Sequence, residues 1–182
     1  MHAQTPETGP AAPLARGIDT PEHLAEHLRP YLDGRAAIVC VGNEMLGDDG
    51  AGTAVARRLA GNVPWDVYDT QTVPESFLMK IVAGRPDAVV LIDALDFRAE
   101  CGAVELIEHE HVTGQGPSTH GPAPIAFLDV LRMIHPCRQV VLGIQPEQCE
   151  WGRGLSEPVR LAVDRVVRAF TLAGADRAGS GG

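Results

Sequence analysis

Three aspartates stand where apolar segments of the chain end, at positions where a carboxylate could bind a metal ion or act in acid–base chemistry. Asp49 lies in the loop after the first long apolar segment, Asp69 follows the second, and Asp93 ends the third. A buried carboxylate is costly unless it is paired or bound to a cation. If these segments are neighbouring strands of one sheet, the three carboxylates converge in one crevice.

Each aspartate also has a purely structural interpretation. Asp48 or Asp49 could cap the helix that begins near Gly50, because free amides and the helix dipole favour an acid there. One of the two could cap while the other points into the crevice. Asp69 could be an ordinary turn residue. Asp93 is harder to explain in this way, because five apolar or small residues directly precede it.

The histidines differ in what their surroundings predict. His120 lies in a Gly- and Pro-rich segment just before a predicted helix, where it could reach the crevice, although an exposed loop histidine is the commoner case. His23 and His27 have a spacing that can bind a metal ion. They lack the His-Glu-x-x-His order of zinc proteases, so an exposed helix face is expected. His109 and His111 alternate with glutamates and are also expected to be exposed.

Strands and helices alternate over most of the chain. The apolar patterns predict strands at 36–41, 65–68, 87–93, 103–107 and 139–144, and helices at 20–31, 50–59, after 75, 125–133 and 156–172. This order predicts an α/β fold, a three-layer sandwich with a mostly parallel five-stranded sheet flanked by helices. Ligands of such folds bind outside the carboxyl ends of the strands, where the aspartates stand.

The length of 182 residues suits one domain with a full core. The Pro- and Ala-rich residues 1–17 and the loose residues 175–182 are expected to be flexible tails. We therefore expect a single α/β domain at 18–174.

The composition excludes several classes of protein. The net charge of −9 disfavours nucleic acid as a partner. The sequence shows neither a signal peptide nor an apolar run long enough to span a membrane, so a cytoplasmic location is expected. The four cysteines form no Cys-x-x-Cys pair, and we expect reduced, mostly buried thiols.

Two common mechanisms lack their motifs. The first strand-to-helix turn, 42–47, has no second glycine of Gly-x-Gly-x-x-Gly and is acidic, which disfavours a dinucleotide site. No Gly-x-Ser-x-Gly nucleophile elbow is present. Two carboxylates and an imidazole instead suit Ni, Zn, Mn or a similar divalent ion.

Four segments, in order, resemble the hydrogenase maturation endopeptidases. Residues 41–52 are similar to the opening signature of that family, in which Gly-Asn and four variable residues precede Asp-Asp/Glu-Gly-x-Gly. Residues 89–94 resemble its second acidic motif, 118–120 with the helix behind them its histidine loop, and 141–146 its Gly-Ile/Val-Gln/Glu-Pro motif. Thr119-His120 is closest to the branch that processes hydrogenase-3-type large subunits.

The resemblance implies that Asp49, Asp93 and His120 are the metal-binding and catalytic residues. They would recognise nickel presented by the substrate, a nickel–iron hydrogenase large-subunit precursor, before its C-terminal extension is removed. The same groups could polarise the scissile carbonyl through the metal or activate a water. This implies an aspartyl-type or metal-dependent endopeptidase.

Two features depart from the family pattern. The N-terminal tail and first helix precede the point at which relatives start, and residues 70–75 lack a glycine pair that is common there. A nickel-sensing, metallochaperone-like protein without protease activity remains the alternative, followed by a nucleotide-binding domain.

Overall fold

The structure, a computed structural model, describes residues 17–109 and 123–179. Its central sheet contains β1 (Ala36–Val41), β2 (Asp66–Gln71), β3 (Ala88–Ala94), β4 (Val104–Glu108) and β5 (Arg138–Ile144). The spatial order is β2-β1-β3-β5-β4, and all pairs are parallel except β4 with β5. The predicted α/β fold with a mostly parallel five-stranded sheet is therefore confirmed.

Helices cover both faces of this sheet. They are α1 (Pro21–Leu32), α2 (Ala51–Leu59), α3 (Leu78–Ala83), α4 (Ala123–Ile134) and α5 (Glu157–Gly179), with 3-10 helices at Glu44–Gly50 and Pro74–Phe77. The core on one face joins the sheet to α1, α2 and α5, and the core on the other face joins it to α3 and α4. No helix in these described ranges is long and apolar enough to cross a membrane.

The two central strands are apolar on both sides because both sides are covered. Every residue of β1 and of β3 is buried, including Asp93. Continuous apolar runs of this kind are typical of parallel sheets between two helix layers. The prediction of these two strands from their apolar runs is therefore confirmed.

The strand order reverses direction at β1. From β1 the chain crosses to β2 on one side, whereas β3 lies on the other side. Such a switch point opens a crevice at the carboxyl ends of the two strands, where α/β proteins bind their ligands. Asp49 follows β1 and Asp93 lies near the end of β3, so both belong to this crevice.

The C-terminal tail predicted at 175–182 is wrong for residues up to Gly179, which continue α5. This end of the helix is fastened to α1. Asp176 Oδ2 accepts from Arg29 at 2.5 Å, and Arg177 Nη1 donates to the Leu32 carbonyl at 3.1 Å. The rest of both predicted tails, 1–16 and 180–182, lies outside the described residues.

The prediction that His109 is exposed is also wrong. His109 is only 3% exposed, and its Nε2 lies 3.2 Å from Asp129 Oδ1 on α4. The polar run after β4 looked solvent-exposed, but α4 packs over its beginning. The predicted burial of the cysteines is wrong in part, because Cys101 and Cys149 are exposed.

Candidate active site

Asp49 lies in the 3-10 turn that connects β1 to α2. The side chain of Asn43 accepts from the Met45 N–H at 3.0 Å, which starts the turn. The Asn43 N–H then donates to the Asp49 carbonyl at 3.1 Å, which closes it. Asp49 is 2% exposed. The turn therefore holds a buried carboxylate at the carboxyl end of β1.

Two glycines allow this close arrangement. A Cβ at Gly42 would lie 2.6 Å from the Asp49 carbonyl oxygen. A Cβ at Gly52 would lie 2.0 Å from the Val41 carbonyl oxygen and 2.9 Å from that of Ile92. The first turn of α2 can therefore sit directly on the ends of β1 and β3 only because residue 52 has no side chain.

Asp93 lies near the end of β3 and is fully buried. Its Oδ1 accepts from the Ala94 N–H at 2.9 Å. Leu91, which shares its side of the strand, belongs to the core beneath α3 and α4, so Asp93 faces that layer. Its neighbour on β5 is Gly143. A Cβ at Gly143 would lie 2.9 Å from Leu95 Cδ1 and 3.1 Å from Phe97 Cε1, so the absence of a side chain there lets the chain after β3 pack against β5.

The thiol of Cys149, in the loop after β5, lies near the same carboxylates. Partial burial of the sulfur raises the pKa of this thiol, and the negative charges of Asp49, Asp48 and Asp93 raise it further. The Asp49 N–H donates to the same sulfur, which opposes the rise. The carboxylates of the Asp49 turn and of β3 therefore both act on one exposed thiol. Sequence analysis missed Cys149, because a single cysteine outside any metal-type spacing carries no signal.

Asp48 has a structural role, but not the expected one. Gly50 caps α2 without a side-chain hydrogen bond, so neither aspartate caps that helix. The Asp48 carboxylate instead accepts from the N–H groups of Glu147, Gln148 and Ser156 and from the Ser156 hydroxyl, at 2.6–3.0 Å. It therefore fastens the loop after β5 and the start of α5 to the Asp49 turn. No pattern in the sequence predicts a partner so far along the chain.

Gln145, in the motif that ends β5, holds the loop after β3 in place. Its Oε1 accepts from the N–H groups of Phe97 at 3.0 Å and Ala99 at 3.2 Å. Its Nε2 donates to Asp96 Oδ1 at 3.1 Å. The amide thus fixes the loop after β3, and with it the chain that leaves Asp93. We interpret Gln145 as a positioning residue.

Asp69 does not join the other two aspartates. β2 continues to Gln71, so Asp69 lies inside the strand and is paired with Cys40 of β1, on the sheet face that packs against α2. Its Oδ1 accepts from the Thr53 hydroxyl at 3.2 Å and from the Gln71 N–H at 3.3 Å. Because Asp93 faces the other helix layer, the expected convergence of three carboxylates is wrong for Asp69.

His120 lies outside the described residues, between β4 and the first residue of α4, Ala123. Among residues 17–109 and 123–179, no group of three or more His, Cys, Asp or Glu side chains is arranged to hold a metal ion. Asp49 and Asp93 therefore need ligands from elsewhere to complete a metal site. A third group of this chain or groups of a substrate could supply them.

Comparison with known proteins identifies the family. The family model described as hydrogenase maturation protease matches residues 53–172, which is more than half of the chain. The chain belongs to the hydrogenase maturation protease family. The match includes the positions of Asp93 and His120, whereas Asp49 lies just before it.

Individual relatives agree with this assignment. The hydrogenase 3 maturation protease of Escherichia coli K12 is 31% identical over 134 residues, covering 71% of this chain and 84% of its own. The crystal structure of a NiFe hydrogenase maturation protease from Thermococcus kodakarensis has a TM-score of 0.74 at 28% identity, covering 81% of this chain and 97% of its own. A crystal structure of a hydrogenase 3 maturation protease has a TM-score of 0.67, also at 28% identity.

As a hydrogenase maturation protease, the chain is a hydrolase that acts on peptide bonds in hydrogenase processing. The family thus explains why the conspicuous groups at the switch point are carboxylates and not a phosphate-binding glycine loop. Membership of this family argues against the nucleotide-binding alternative.

Proposed function

We propose that this protease removes the C-terminal extension of a nickel–iron hydrogenase large-subunit precursor after nickel has been inserted. Asp49, Asp93 and His120 recognise the nickel that the precursor carries. The observation that carries this proposal is the pair of buried aspartates at the carboxyl ends of the adjacent strands β1 and β3. Membership of the hydrogenase maturation protease family supplies the reaction class.

The chemistry of the crevice supports a cationic guest. Asp49 is 2% exposed and Asp93 is fully buried, and both stand near Asp48 in a chain of net charge −9. Several carboxylates in low-dielectric surroundings repel one another, and a divalent ion offsets both this repulsion and their loss of hydration. Oxygen and imidazole ligands together suit Ni²⁺. An incomplete ligand set fits an ion that arrives already bound to a substrate.

The position of α4 supports a role for His120. α4 is followed by β5, whose first residue lies at the amino edge of the sheet, so the helix begins toward the carboxyl edge. It contacts the 3-10 helix that follows β2, which lies at that edge. His120 precedes α4 by three residues and the helix covers the face to which Asp93 points. The described chain therefore resumes, three residues after His120, toward the edge of the sheet at which the crevice opens.

The proposed cleavage uses the same groups. The aspartates and histidine orient the nickel-bearing segment, and the scissile carbonyl is polarised through the metal or attacked by a water that a carboxylate activates. Both routes need a carboxylate that stays close to the substrate. They predict that replacing a carboxylate by its amide abolishes cleavage while leaving the shape of the crevice intact.

The test is a processing assay with purified nickel-loaded precursor, followed on gels. Asp49→Asn, Asp93→Asn and His120→Gln should each leave the precursor at full length. Asp69→Asn is the matched control, because that aspartate lies within β2, which pairs with β1, and faces the other helix layer. Normal cleavage by the first three variants would contradict the proposal. Nickel-dependent binding of precursor without any cleavage by the parent protein would indicate a nickel-sensing binding protein instead.

A further inference from the structure

α1 lies outside the residues that the family model matches and has no part in the crevice described above. Its buried side chains, such as Leu24 and Leu28, belong to the core that includes α5. His23 and His27 stand on another side of the helix, one turn apart. We propose that these two histidines form a chelating site for a divalent transition-metal ion of the Ni²⁺ and Cu²⁺ type.

The distance between the two imidazoles matches that of two ligands on one ion. Their Nε2 atoms lie 3.0 Å apart, and the ring centroids lie 4.7 Å apart with 51° between the ring planes. Two nitrogens bonded to one ion at about 2.1 Å stand about 3.0 Å apart if the bonds meet at right angles, and about 3.4 Å apart in a tetrahedral site. The observed distance fits right-angle geometry, which Ni²⁺ and Cu²⁺ prefer over tetrahedral coordination.

Folding has already positioned both ligands. The Thr20 hydroxyl accepts from the His23 N–H at 3.2 Å, and Pro21 occupies the first helical position, so the turn that carries His23 is fixed. Arg29 pairs with Asp176 of α5 just beyond His27. A helix held at both ends loses little conformational entropy when two of its side chains bind one ion.

The local charge around the two histidines favours a cation. Residues 17–28 contain Asp19, Glu22 and Glu26 but no Lys or Arg. The positive end of the helix dipole opposes a cation in the first turn, and these acids offset it. In the absence of a metal, the 3.0 Å contact requires one ring to donate and the other to accept. When the donating ring moves its proton from Nε2 to Nδ1, both neutral imidazoles offer an Nε2 lone pair to the same ion.

The ligand set defines the kind of site. No third His, Cys, Asp or Glu among residues 17–109 and 123–179 joins the pair in a group that could hold an ion. Two imidazoles therefore hold the ion, and water fills the other positions. The site is independent of the proposed nickel recognition by Asp49, Asp93 and His120, so either can fail without the other.

The test is a titration of the full chain with NiCl₂, followed by calorimetry and by the imidazole NMR signals. Ni²⁺ should broaden the signals of His23 and His27 before that of His135, which is held by the Pro86 carbonyl at 2.8 Å. His27→Gln should weaken this binding about tenfold or more, because the chelate becomes a single ligand. His23→Gln should do the same, with unchanged helix content by circular dichroism.

Two control variants separate this site from others. His120→Gln should keep the α1 ion, and His2→Gln should keep it as well. Unchanged Ni²⁺ affinity and stoichiometry in both His23→Gln and His27→Gln would overturn the proposal. So would a loss of the ion in His2→Gln alone, because that result would assign binding to the N-terminal segment.

Discussion

Asp48 and Asp49 are neighbours in sequence, and the structure gives them opposite tasks that a stability measurement can separate. The buried Asp48 carboxylate accepts four hydrogen bonds, three from backbone N–H groups and one from the Ser156 hydroxyl. Asp48→Ala leaves all four donors without this acceptor. A hydrogen bond to a charged group contributes about 1.5–3 kcal/mol, and water refills part of the loss, so we expect a cost of about 3–5 kcal/mol.

Two further variants grade the effect. Ser156→Ala removes one donor and should cost about 1 kcal/mol. Asp49→Asn keeps the shape of the side chain and removes one of the three carboxylates around Cys149. Because it relieves repulsion, it should keep the free energy of unfolding within about 1 kcal/mol of the parent.

Thermal and urea unfolding of the three variants provide the assay. For a chain of this size each kcal/mol shifts Tm by about 2–4 °C, so Asp48→Ala should lower Tm by roughly 6–20 °C. Asp49→Asn should melt close to the parent and yet fail to process precursor. The reasoning would be refuted by an Asp49→Asn variant that loses as much stability as Asp48→Ala, or by an Asp48→Ala variant of parental stability.

Three further predictions address the helix contact, the crevice rim and the opposite edge of the sheet. Gly52→Ala should lower the free energy of unfolding by about 3 kcal/mol or more in urea titrations, because its Cβ would lie 2.0 Å from a carbonyl oxygen. Trp151 is 71% exposed beside the Asp49 turn. Trp151→Ala should therefore raise the KM for precursor severalfold with little change in kcat, whereas the control Met133→Ala, at an exposed position of α4, should not. Burial and then the Glu108 carboxylate raise the pKa of Tyr31 to about 12, so its protonated form is favoured by folding. This stability is complete below pH 10 and is lost between about pH 10 and 12, and the parent should lose more stability there than Tyr31→Phe.

Local patterns predicted much of the fold because the strongest elements are locally determined. The apolar segments of β1 and β3 favoured covered strands, as the structure has them, and the Thr20-Pro21 start of α1 is formed as expected. The end of α5 was not predictable. Its last turns are Gly-containing and polar, and their helical form depends on Arg29 and Leu32 of a distant helix.

The site was predictable in part for the same reason. Strand ends predicted that Asp49 and Asp93 would stand at the crevice. The face to which a side chain points depends on strand register, which pairs Asp69 with Cys40 on the α2 side. The partners of Asp48 and the position of Cys149 depend on the loop after β5, which contacts the Asp49 turn about a hundred residues away in the chain.

A large-subunit precursor, prepared with and without nickel, should be incubated with this protease and its intact mass measured. We predict that only the nickel-loaded precursor loses its C-terminal peptide, and that the Asp49→Asn variant of the protease leaves its mass unchanged. Equal shortening of the nickel-free precursor would contradict recognition of substrate-bound nickel by the buried carboxylates.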